Sequence, residues 1–233
     1  MNTLRHLGII MDGNRRWAKA NGRLAHQGHD RGADVFVDTC DWCIQDSIEH
    51  LTVYAFSTEN WKRSQLEVSH IFGLLERFFV AKIDLCLEKD IRIRVIGDRN
   101  RFDKKTLSVV EKAEAQTAHC DTLQVQIALS YGGRNEITRA VQKIAADVAS
   151  GGITPADISE DLISSYLDTR GIPDVDLVIR TGGAENRRLS NFLPWQTVYA
   201  ELYFSELLWP DFSRNEFEKA VAYYDAIKRK TGK

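Results

Sequence analysis

The chain has 233 residues, and its 31 Lys and Arg against 33 Asp and Glu give a net charge of -2. Hydrophobic residues make up 43% and charged residues 27%, as in a globular protein with a large core. With this net charge the protein has no overall positive potential that would attract nucleic acid, so we expect no nucleic-acid partner. No apolar run approaches the ~18–20 residues of a membrane span, and the first residues lack a signal-peptide pattern. We therefore expect a cytoplasmic protein.

Six short apolar or alternating runs predict strands, at 7–11, 51–56, 91–97, 123–130, 176–180 and 202–204. Segments with helical spacing lie between and after them, at 28–44, 66–89, 104–118, 135–149, 160–167 and 216–228. Strands that alternate with helices indicate a mainly parallel sheet flanked by helices. No flexible linker interrupts the pattern, so we predict one α/β domain over residues 1–233 with a central six-stranded sheet.

The predicted helix at 66–89 carries apolar residues on more than one stripe, including Phe72, Phe78 and Phe79. Two interpretations remain open. The helix is buried between the sheet and its neighbours, or its second face lines an apolar cavity or a subunit interface.

The four cysteines are Cys40, Cys43, Cys86 and Cys120. Cys40 and Cys43 form a Cys-x-x-Cys pair, but the pair lies inside a helical pattern and no second pair completes a zinc site. We predict buried thiols rather than a metal or redox centre.

Ligands of open parallel sheets bind at the carboxyl ends of the strands, so the residues after each predicted strand carry the functional signal. Residues 12–17 follow the first strand with Asp12, a glycine and two arginines. Backbone N–H groups and guanidinium groups suit a phosphate, and Asp12 could hold Mg²⁺ through its carboxylate. The alternative is a capped turn with solvated arginines.

The other strand ends are also polar. Segment 57–63 combines hydroxyls, an amide, an acid and two cations, although an N-capped helix start explains Ser57 or Thr58 equally well. Segments 97–99, 131–134 and 180–183 add glycines and arginines. Together the five strand ends indicate an oligo-anionic ligand such as a diphosphate or nucleotide. Glu201, just before the sixth strand, is a candidate second metal ligand or simply an exposed acid.

Several enzyme classes are excluded by missing motifs. The sequence has no G-x-x-x-x-G-K-[ST], no G-x-G-x-x-G after a strand, no G-x-S-x-G and no H-E-x-x-H. The paired acids D-D-x-x-D of trans-prenyl synthases are also absent.

The stretches that carry a family resemblance run through nearly the whole chain: HLGIIMDGNRRWAK at 6–19, GHDRGAD at 28–34, LTVYAFSTENWKRS at 51–64, IRVIGDRNRF at 93–102, ALSYGGRNEI at 128–137, DLVIRTGG at 176–183 and RLSNFLPWQTVYAELYFSELLWPDF at 188–212. In these motifs and in their order, the sequence resembles the cis-prenyltransferases, the undecaprenyl diphosphate synthase family. The resemblance implies a homodimer and an apolar tunnel that holds the growing chain.

The resemblance also implies roles for the matched positions. Asp12 and Asn60 would be catalytic, Asp12 through Mg²⁺ at the departing allylic diphosphate and Asn60 as proton acceptor. Asp12 and Glu201 would be the metal-binding acids. The substrate-binding residues would be Gly13, Asn14, Arg15, Arg16, Trp17, His29, Ser57, Thr58, Glu59, Trp61 and Arg63 for one part of the site, and Arg180, Arg188, Leu189 and Ser190 for the isopentenyl diphosphate clamp.

The sequence departs from the family pattern in four places. Position 15, usually glycine, is Arg15, and an arginine usual before the Gly-His pair falls at Ala25. We hypothesise that Arg15 replaces that contact to the allylic diphosphate; the alternative is a solvated Arg15, with Arg23 or Arg31 in its place. The loop 184–187 is lengthened, which leaves the usual metal-proximal histidine unassigned, and the ending at 228–233 matches only loosely.

The expected activity is Mg²⁺-dependent elongation of an allylic diphosphate, such as farnesyl diphosphate, by isopentenyl diphosphate. The small Ala55 favours a long product such as undecaprenyl diphosphate, because bulk at this position shortens the product in the family. A peripheral contact with the inner face of the membrane would serve product release. The alternatives are a short-chain or irregular prenyl diphosphate synthase, and a non-catalytic lipid-binding partner subunit.

Overall fold

The computed structural model describes residues 4–183 and 186–227. They form one six-stranded sheet in the order β3-β4-β2-β1-β5-β6, in which every neighbouring pair is parallel. The strands are β1 (His6–Ile10), β2 (His50–Ser57), β3 (Ile91–Ile96), β4 (Leu123–Tyr131), β5 (Leu177–Arg180) and β6 (Glu201–Phe204). The predicted parallel α/β fold is confirmed.

Seven α-helices within the described residues flank the sheet. They are α1 (Asn14–Ala20), α2 (Ala25–Gln45), α3 (Gln65–Glu88), α4 (Lys104–Gln116), α5 (Gly133–Ala149), α6 (Glu160–Tyr166) and α7 (Arg214–Ala226). The sequence did not predict α1, because its seven residues are too few to show a helical period after the turn-forming Gly13. The predicted final helix ended at 228, which lies outside the described residues.

The middle of the sheet is covered on both faces, and this explains its continuous apolar runs. All five residues of β1 and all four of β5 are buried. Residues of parallel strands that are covered on both faces cannot alternate with polar ones, so both strands read as unbroken hydrophobic segments.

Helix α3 packs in the core with one face and lines a cavity with another, so the structure combines the two interpretations that the sequence left open. Ile71, Phe72 and Phe79 are buried in the main core. Leu74 and Phe78 are only half-buried and line a cavity. No helix in the described part of the chain is both long and apolar enough to span a membrane.

The cysteines are buried free thiols, as predicted. Burial raises the pKa of both Cys40 and Cys43, which keeps these thiols protonated and unreactive.

Candidate active site

The C-terminal ends of strands β1 and β5 lie side by side, and the side chains that follow them meet at the carboxylate of Asp12. Asp12 follows β1, and its Oδ2 accepts a hydrogen bond from Arg180 Nη2, at the end of β5, at 3.0 Å. Its Oδ1 lies 3.2 Å from Arg16 Nη2 on α1. The register explains this meeting, because Ile10 pairs with Arg180 across the two strands. Two strand ends that are 170 residues apart in sequence thus share one charged centre.

Gly182 makes the close approach of these groups sterically feasible. Its φ is +115°, and a Cβ at this position would lie 2.8 Å from Arg16 Nη2 and 2.9 Å from the Asp12 side chain. The carbonyl of Gly182 also accepts a hydrogen bond from Arg16 Nη1 at 2.6 Å. Only glycine allows this conformation without a clash, so the Thr-Gly-Gly run after β5 shapes the site.

The residues predicted to clamp isopentenyl diphosphate lie together on the other side of Arg180. Arg180 Nη1 donates to Ser190 Oγ at 2.7 Å and also to the carbonyl of Arg188. Within the described residues, Arg180 Nε is buried without a partner. Ser190 and Arg188 are exposed, so both side chains can reach a ligand at this edge. Leu189 packs against the smaller apolar cluster that contains Phe192.

The segment after β2 forms a 3₁₀ turn, Thr58–Lys62. The Ser57 N–H donates to Asn60 Oδ1 at 3.1 Å, which orients the Asn60 amide at the cavity. Burial alone would raise the pKa of Glu59. Hydrogen bonds from its own backbone N–H, Ser57 and Asn191 outweigh burial and bring that pKa below its ordinary value. Glu59 is therefore ionised at neutral pH.

His29 on α2 faces two arginines and an acid at the cavity mouth. Burial, followed by the charge of Arg63, lowers the pKa of His29 to about 4, so the ring is neutral at pH 7. Within the described residues, its Nε2 is buried without a hydrogen-bond partner. Glu67 Oε1 accepts from Arg63 Nη1 at 3.0 Å and lies 3.7 Å from Arg15 Nη1. Both arginines are thus held beside the cavity by one acid.

These groups surround a cavity of about 1210 Å³. The charged side chains that line it are Arg15, Arg16, Lys19, Arg23, Arg63 and Arg180, against Asp12 and Glu59. Gly13, Asn14, His29, Ser57, Asn60 and Ser190 are also in its wall. The apolar lining comprises Ile10, Met11, Phe36, Val53, Ala55, Ile71, Leu74, Leu75, Phe78 and Ile127. The cavity therefore suits a ligand with an anionic head and an apolar tail.

Several predicted binding residues do not line the cavity that the described residues form. Trp17 is buried, and its Nε1 donates to Asp211 Oδ1 at 2.7 Å. Trp61 stacks among aromatic rings and donates to Ser130 Oγ at 2.9 Å. Arg188, Leu189 and Thr58 are also absent from the cavity lining that the described residues form.

Two of the five polar strand ends do not reach the cavity. After β3, Arg99 pairs with Glu114 of α4. After β4, a Cβ at Gly133 would lie 1.9 Å from Pro194, so this glycine lets the loop at 191–194 pack against the strand end. Asn191 in that loop accepts from the Arg134 N–H at 2.9 Å and donates to Glu59 Oε1 at 3.1 Å. The β4 end therefore buttresses the site rather than binding its ligand.

The structure does not bring the two predicted metal acids of one chain together. Glu201 pairs in register with Leu177, at the start of β5, whereas Arg180 at its end pairs with Phe204. Three residues of strand separate these levels by ~10 Å. Glu201 consequently lies at the opposite edge of the sheet from Asp12.

Asp12 alone fits a magnesium ion. Its carboxylate is 31% exposed at the mouth of the cavity, beside arginines that suit phosphate. Mg²⁺ typically binds one or two carboxylates together with substrate phosphates and water, so a single protein ligand suffices. No cluster of three or more His, Cys, Asp or Glu side chains suited to a metal occurs among residues 4–183 and 186–227.

Sequence reasoning missed several residues at the site. Asn186 Nδ2 donates to Asp12 Oδ2 at 3.3 Å, Lys19 lines the cavity, and Asn191 Nδ2 donates to Glu59 Oε1. Arg23, which the sequence offered as an alternative to Arg15, also lines the cavity. Glu67 follows Arg63 by four residues, a helical ion-pair spacing that could have identified it. Residues 184–185 of the lengthened loop lie outside the described part of the chain.

A parallel α/β sheet with a cationic mouth above an apolar cavity defines a class of protein that suits ligands with an anionic head and an apolar tail. The family described as "Putative undecaprenyl diphosphate synthase" matches residues 10–232. The chain therefore belongs to this family of cis-prenyltransferases and is a prenyl-transferring enzyme.

Named relatives agree with the family. An isoprenyl transferase of Chlamydia trachomatis serovar D is 42% identical over 98% of this chain and 91% of its own length. The crystal structure of lavandulyl diphosphate synthase from Lavandula x intermedia in complex with dimethylallyl diphosphate superposes with a TM-score of 0.93, at 34% identity over 97% of each chain. The crystal structure of a probable undecaprenyl diphosphate synthase from Campylobacter jejuni superposes with a TM-score of 0.82, at 36% identity over 100% of each chain.

Proposed function

We propose that the protein elongates an allylic diphosphate by cis addition of isopentenyl diphosphate, with Mg²⁺ as cofactor and a polyprenyl diphosphate as product. One observation carries the proposal: Asp12 and Arg180 meet at the rim of a cavity whose mouth is cationic and whose depth is apolar. Such a cavity matches the charged head and the growing hydrocarbon tail of one molecule.

The two substrates would take different sides of Arg180. The allylic diphosphate lies near Arg16, Arg15 and the neutral His29, where its tail enters the apolar cavity. Isopentenyl diphosphate lies near Ser190 and Arg188, where Arg180 holds the loop. Holding both anions at one sheet edge aligns the reacting carbons, which is the main entropic contribution to the rate.

The reaction breaks the C1–O bond of the allylic substrate, and its electron pair leaves with the diphosphate. The double bond of isopentenyl diphosphate forms the new bond to C1, and a proton is lost to give a cis alkene, with Asn60 as the predicted acceptor. Arg16 and Arg180 stabilise the charge on the departing diphosphate. A magnesium ion held by Asp12 would supply further charge neutralisation at the leaving group.

The experiment is an incubation of the purified protein with Mg²⁺, farnesyl diphosphate and radiolabelled isopentenyl diphosphate, followed by sizing of the products and NMR of the new double bonds. The proposal requires cis-polyprenyl products that disappear in EDTA and return with Mg²⁺. Absence of elongation from every allylic primer tried would contradict it.

Irregular prenyl coupling is the second candidate function, because the lavandulyl diphosphate synthase superposes closely on this chain. Dimethylallyl diphosphate supplied alone distinguishes the two. A branched product from this single substrate supports irregular coupling, whereas a requirement for isopentenyl diphosphate supports chain elongation.

We propose a homodimer on the β6 side of the molecule. In the described sheet β6 is an edge strand, and its residues are all half-buried. Val198 and Tyr199, just before it, are 68% and 90% exposed. Apolar exposure beside an open sheet edge is typical of an interface. Sedimentation of the wild type and a Tyr199→Glu variant tests this proposal, which requires a dimer that the variant weakens.

A peripheral membrane contact near the cavity mouth would serve product release. Leu24 and Leu66, at the starts of α2 and α3, are 66% and 84% exposed. The ring centroids of His26 and His70 lie 5.0 Å apart, so these two helix starts are adjacent. Co-sedimentation with anionic vesicles, compared between the wild type and Leu24→Ser/Leu66→Ser, would detect the contact as binding that the variant loses.

A further inference from the structure

The family motif at 93–102 contributes no residue to the cavity wall that the described residues form, yet it contacts the 3₁₀ turn Thr58–Lys62. The motif covers the end of β3 and a second short 3₁₀ turn, Arg99–Arg101. Gly97 has a φ of +127°, and a Cβ at this position would clash with the carbonyl oxygen of Leu129 on β4. The glycine thus lets the loop after β3 pack directly against the end of β4.

Arg101 in this loop places its guanidinium over an aromatic ring. Its Cζ lies 4.3 Å from the centroid of the Trp61 ring. Arg101 is exposed, and its side chain forms no ion pair or hydrogen bond within the described residues, whereas Arg99 pairs with Glu114. A guanidinium within about 6 Å of the centroid of an indole ring is attracted to its face, so the ring is the partner of Arg101.

The loop after β3 also contacts other partners of Trp61. The Trp61 ring centroid lies 5.1 Å from that of Phe72, and its Nε1 donates to Ser130 Oγ at 2.9 Å. The Asp98 N–H donates to the carbonyl of Ser130 at 3.1 Å, and the ring of Phe102 lies 5.7 Å from that of Phe72. The loop and the indole therefore form one packed unit outside the cavity.

In the chain, Trp61 lies between two residues of the cavity wall, Asn60 and Arg63. The Arg63 N–H donates to the carbonyl of Asn60 at 3.0 Å, and the Ser57 N–H donates to Asn60 Oδ1. Because the 3₁₀ turn has only five residues, a rotation of the indole would also displace the Asn60 amide. A misplacement of ~1 Å in an active site can lower a rate about 100-fold.

We propose that Arg101 is a positioning residue for the reaction, because its guanidinium fixes the Trp61 ring and thereby the Asn60 amide at the cavity. The inference rests on the proposed prenyl elongation and adds a residue that does not line the cavity itself. It gives the end of β3 a function in the site, which it serves through Trp61 rather than through a ligand contact.

Two substitutions separate the charge of Arg101 from its bulk. Arg101→Met keeps an unbranched side chain but removes the cation, so kcat should fall roughly 2- to 30-fold, the range that corresponds to loss of a cation–π contact. Arg101→Lys keeps a cation over the ring and should restore most of kcat. The KM for isopentenyl diphosphate should change less than kcat does, because Arg180 and Ser190 are untouched.

Lys104→Met is the matched control. Lys104 is an exposed cation three residues after Arg101, at the start of α4, and the loss of its charge should leave kcat at the wild-type value. In a Trp61→Leu background, Arg101→Met should cause no further loss, because the ring is already absent. A loss in Lys104→Met as large as that in Arg101→Met, or an undiminished effect of Arg101→Met without the ring, would show that the inference is wrong.

Fluorine NMR of protein labelled with fluorotryptophan reports on the ring directly. The chain has five tryptophans, and the resonance that Trp61→Phe removes belongs to Trp61. This resonance should move in Arg101→Met and stay in place in Lys104→Met. An unmoved resonance, or wild-type kcat in a folded Arg101→Met enzyme, overturns the positioning role and leaves the proposed function intact. A wild type that elongates no primer overturns the proposed function and this inference with it.

Discussion

Arg180 and Asp12 form an ion pair that joins the ends of two neighbouring parallel strands, with Nη2 3.0 Å from Oδ2. The Arg180 side chain is 6% exposed, whereas that of Asp12 is 31% exposed. The arginine is thus fixed within the protein, and the carboxylate presents its remaining surface to the cavity. Loss of one partner of such a pair leaves the other charge poorly compensated. The pair therefore joins the two sides of the cavity mouth at which the proposed allylic and isopentenyl substrates would lie.

Substitution of Arg15 tests whether its guanidinium replaces the phosphate contact of the arginine that is missing at Ala25. Both positions line the cavity, and Arg15 reaches Glu67. A charge-assisted hydrogen bond contributes ~1.5–3 kcal/mol, so Arg15→Gly should raise the KM for the allylic substrate roughly 10- to 150-fold. The KM for isopentenyl diphosphate should change far less, and Arg15→Gly with Ala25→Arg should recover much of the loss.

Steady-state kinetics with Arg31→Ala as control completes that test. Arg31 pairs with Asp34 on the helix surface and is not part of the cavity wall. An unchanged allylic KM in Arg15→Gly would eliminate the compensation hypothesis, and a large effect in Arg31→Ala would move the role to that residue.

Asn191 is expected to position the isopentenyl clamp. Its φ is +67°, and its amide bonds both Glu59 and the Arg134 N–H. Asn191→Gly preserves the left-handed backbone but removes both side-chain hydrogen bonds, so the KM for isopentenyl diphosphate should rise ~3- to 10-fold. Asn191→Ala also strains the backbone by ~1–2 kcal/mol and should melt at a lower temperature than the glycine variant. Wild-type KM values in both variants would show that the side-chain hydrogen bonds of Asn191 are not needed to position the loop.

Ala55 tests whether the tail follows the β2 side of the cavity. Ala55 is half-buried and lines the cavity, so Ala55→Leu places three additional carbons in its path. The product should become shorter, because a close-packed channel does not accommodate the extra volume. Ala81→Leu adds the same bulk at an exposed position of α3 and should change nothing. An unchanged product from a folded Ala55→Leu protein would exclude contact between Ala55 and the tail.

His6 should make the protein less stable at mildly acidic pH. Burial, partly offset by a hydrogen bond to the Pro173 carbonyl, lowers its pKa to about 4. The unfolded chain binds this proton near pH 6.5, so between these values it holds more protons than the folded chain. Stability contributed by the neutral ring is therefore complete above pH 6.5 and declines by ~3 kcal/mol as the pH falls to 4.

Urea unfolding at several pH values measures this decline. His6→Gln removes the titrating group and should show a shallower loss of unfolding free energy from pH 6.5 to pH 4. His29 also has a lowered pKa, so part of the slope should remain in the variant. Identical slopes in both proteins would contradict the assignment.

The sequence predicted the sheet well because buried parallel strands leave an unmistakable apolar run, as in Leu177–Arg180. It predicted that polar residues after β1, β2 and β5 would lie together, because residues that follow parallel strands meet at one edge of the sheet. By the same rule, Glu201 at the start of β6 lies at the edge of the sheet opposite to Asp12. Asn186 and Asn191 could not be predicted, because a polar loop residue gives no signal until the fold brings a partner to it.

The most direct test of the account is the Asp12→Ala variant at saturating Mg²⁺, with labelled isopentenyl diphosphate and an allylic primer. Asp12 lies in a loop after β1, where it contacts Arg16 and Arg180 rather than the core. Turnover should fall by several orders of magnitude, with a melting temperature close to that of the wild type. Near-wild-type turnover in a folded Asp12→Ala protein would contradict it.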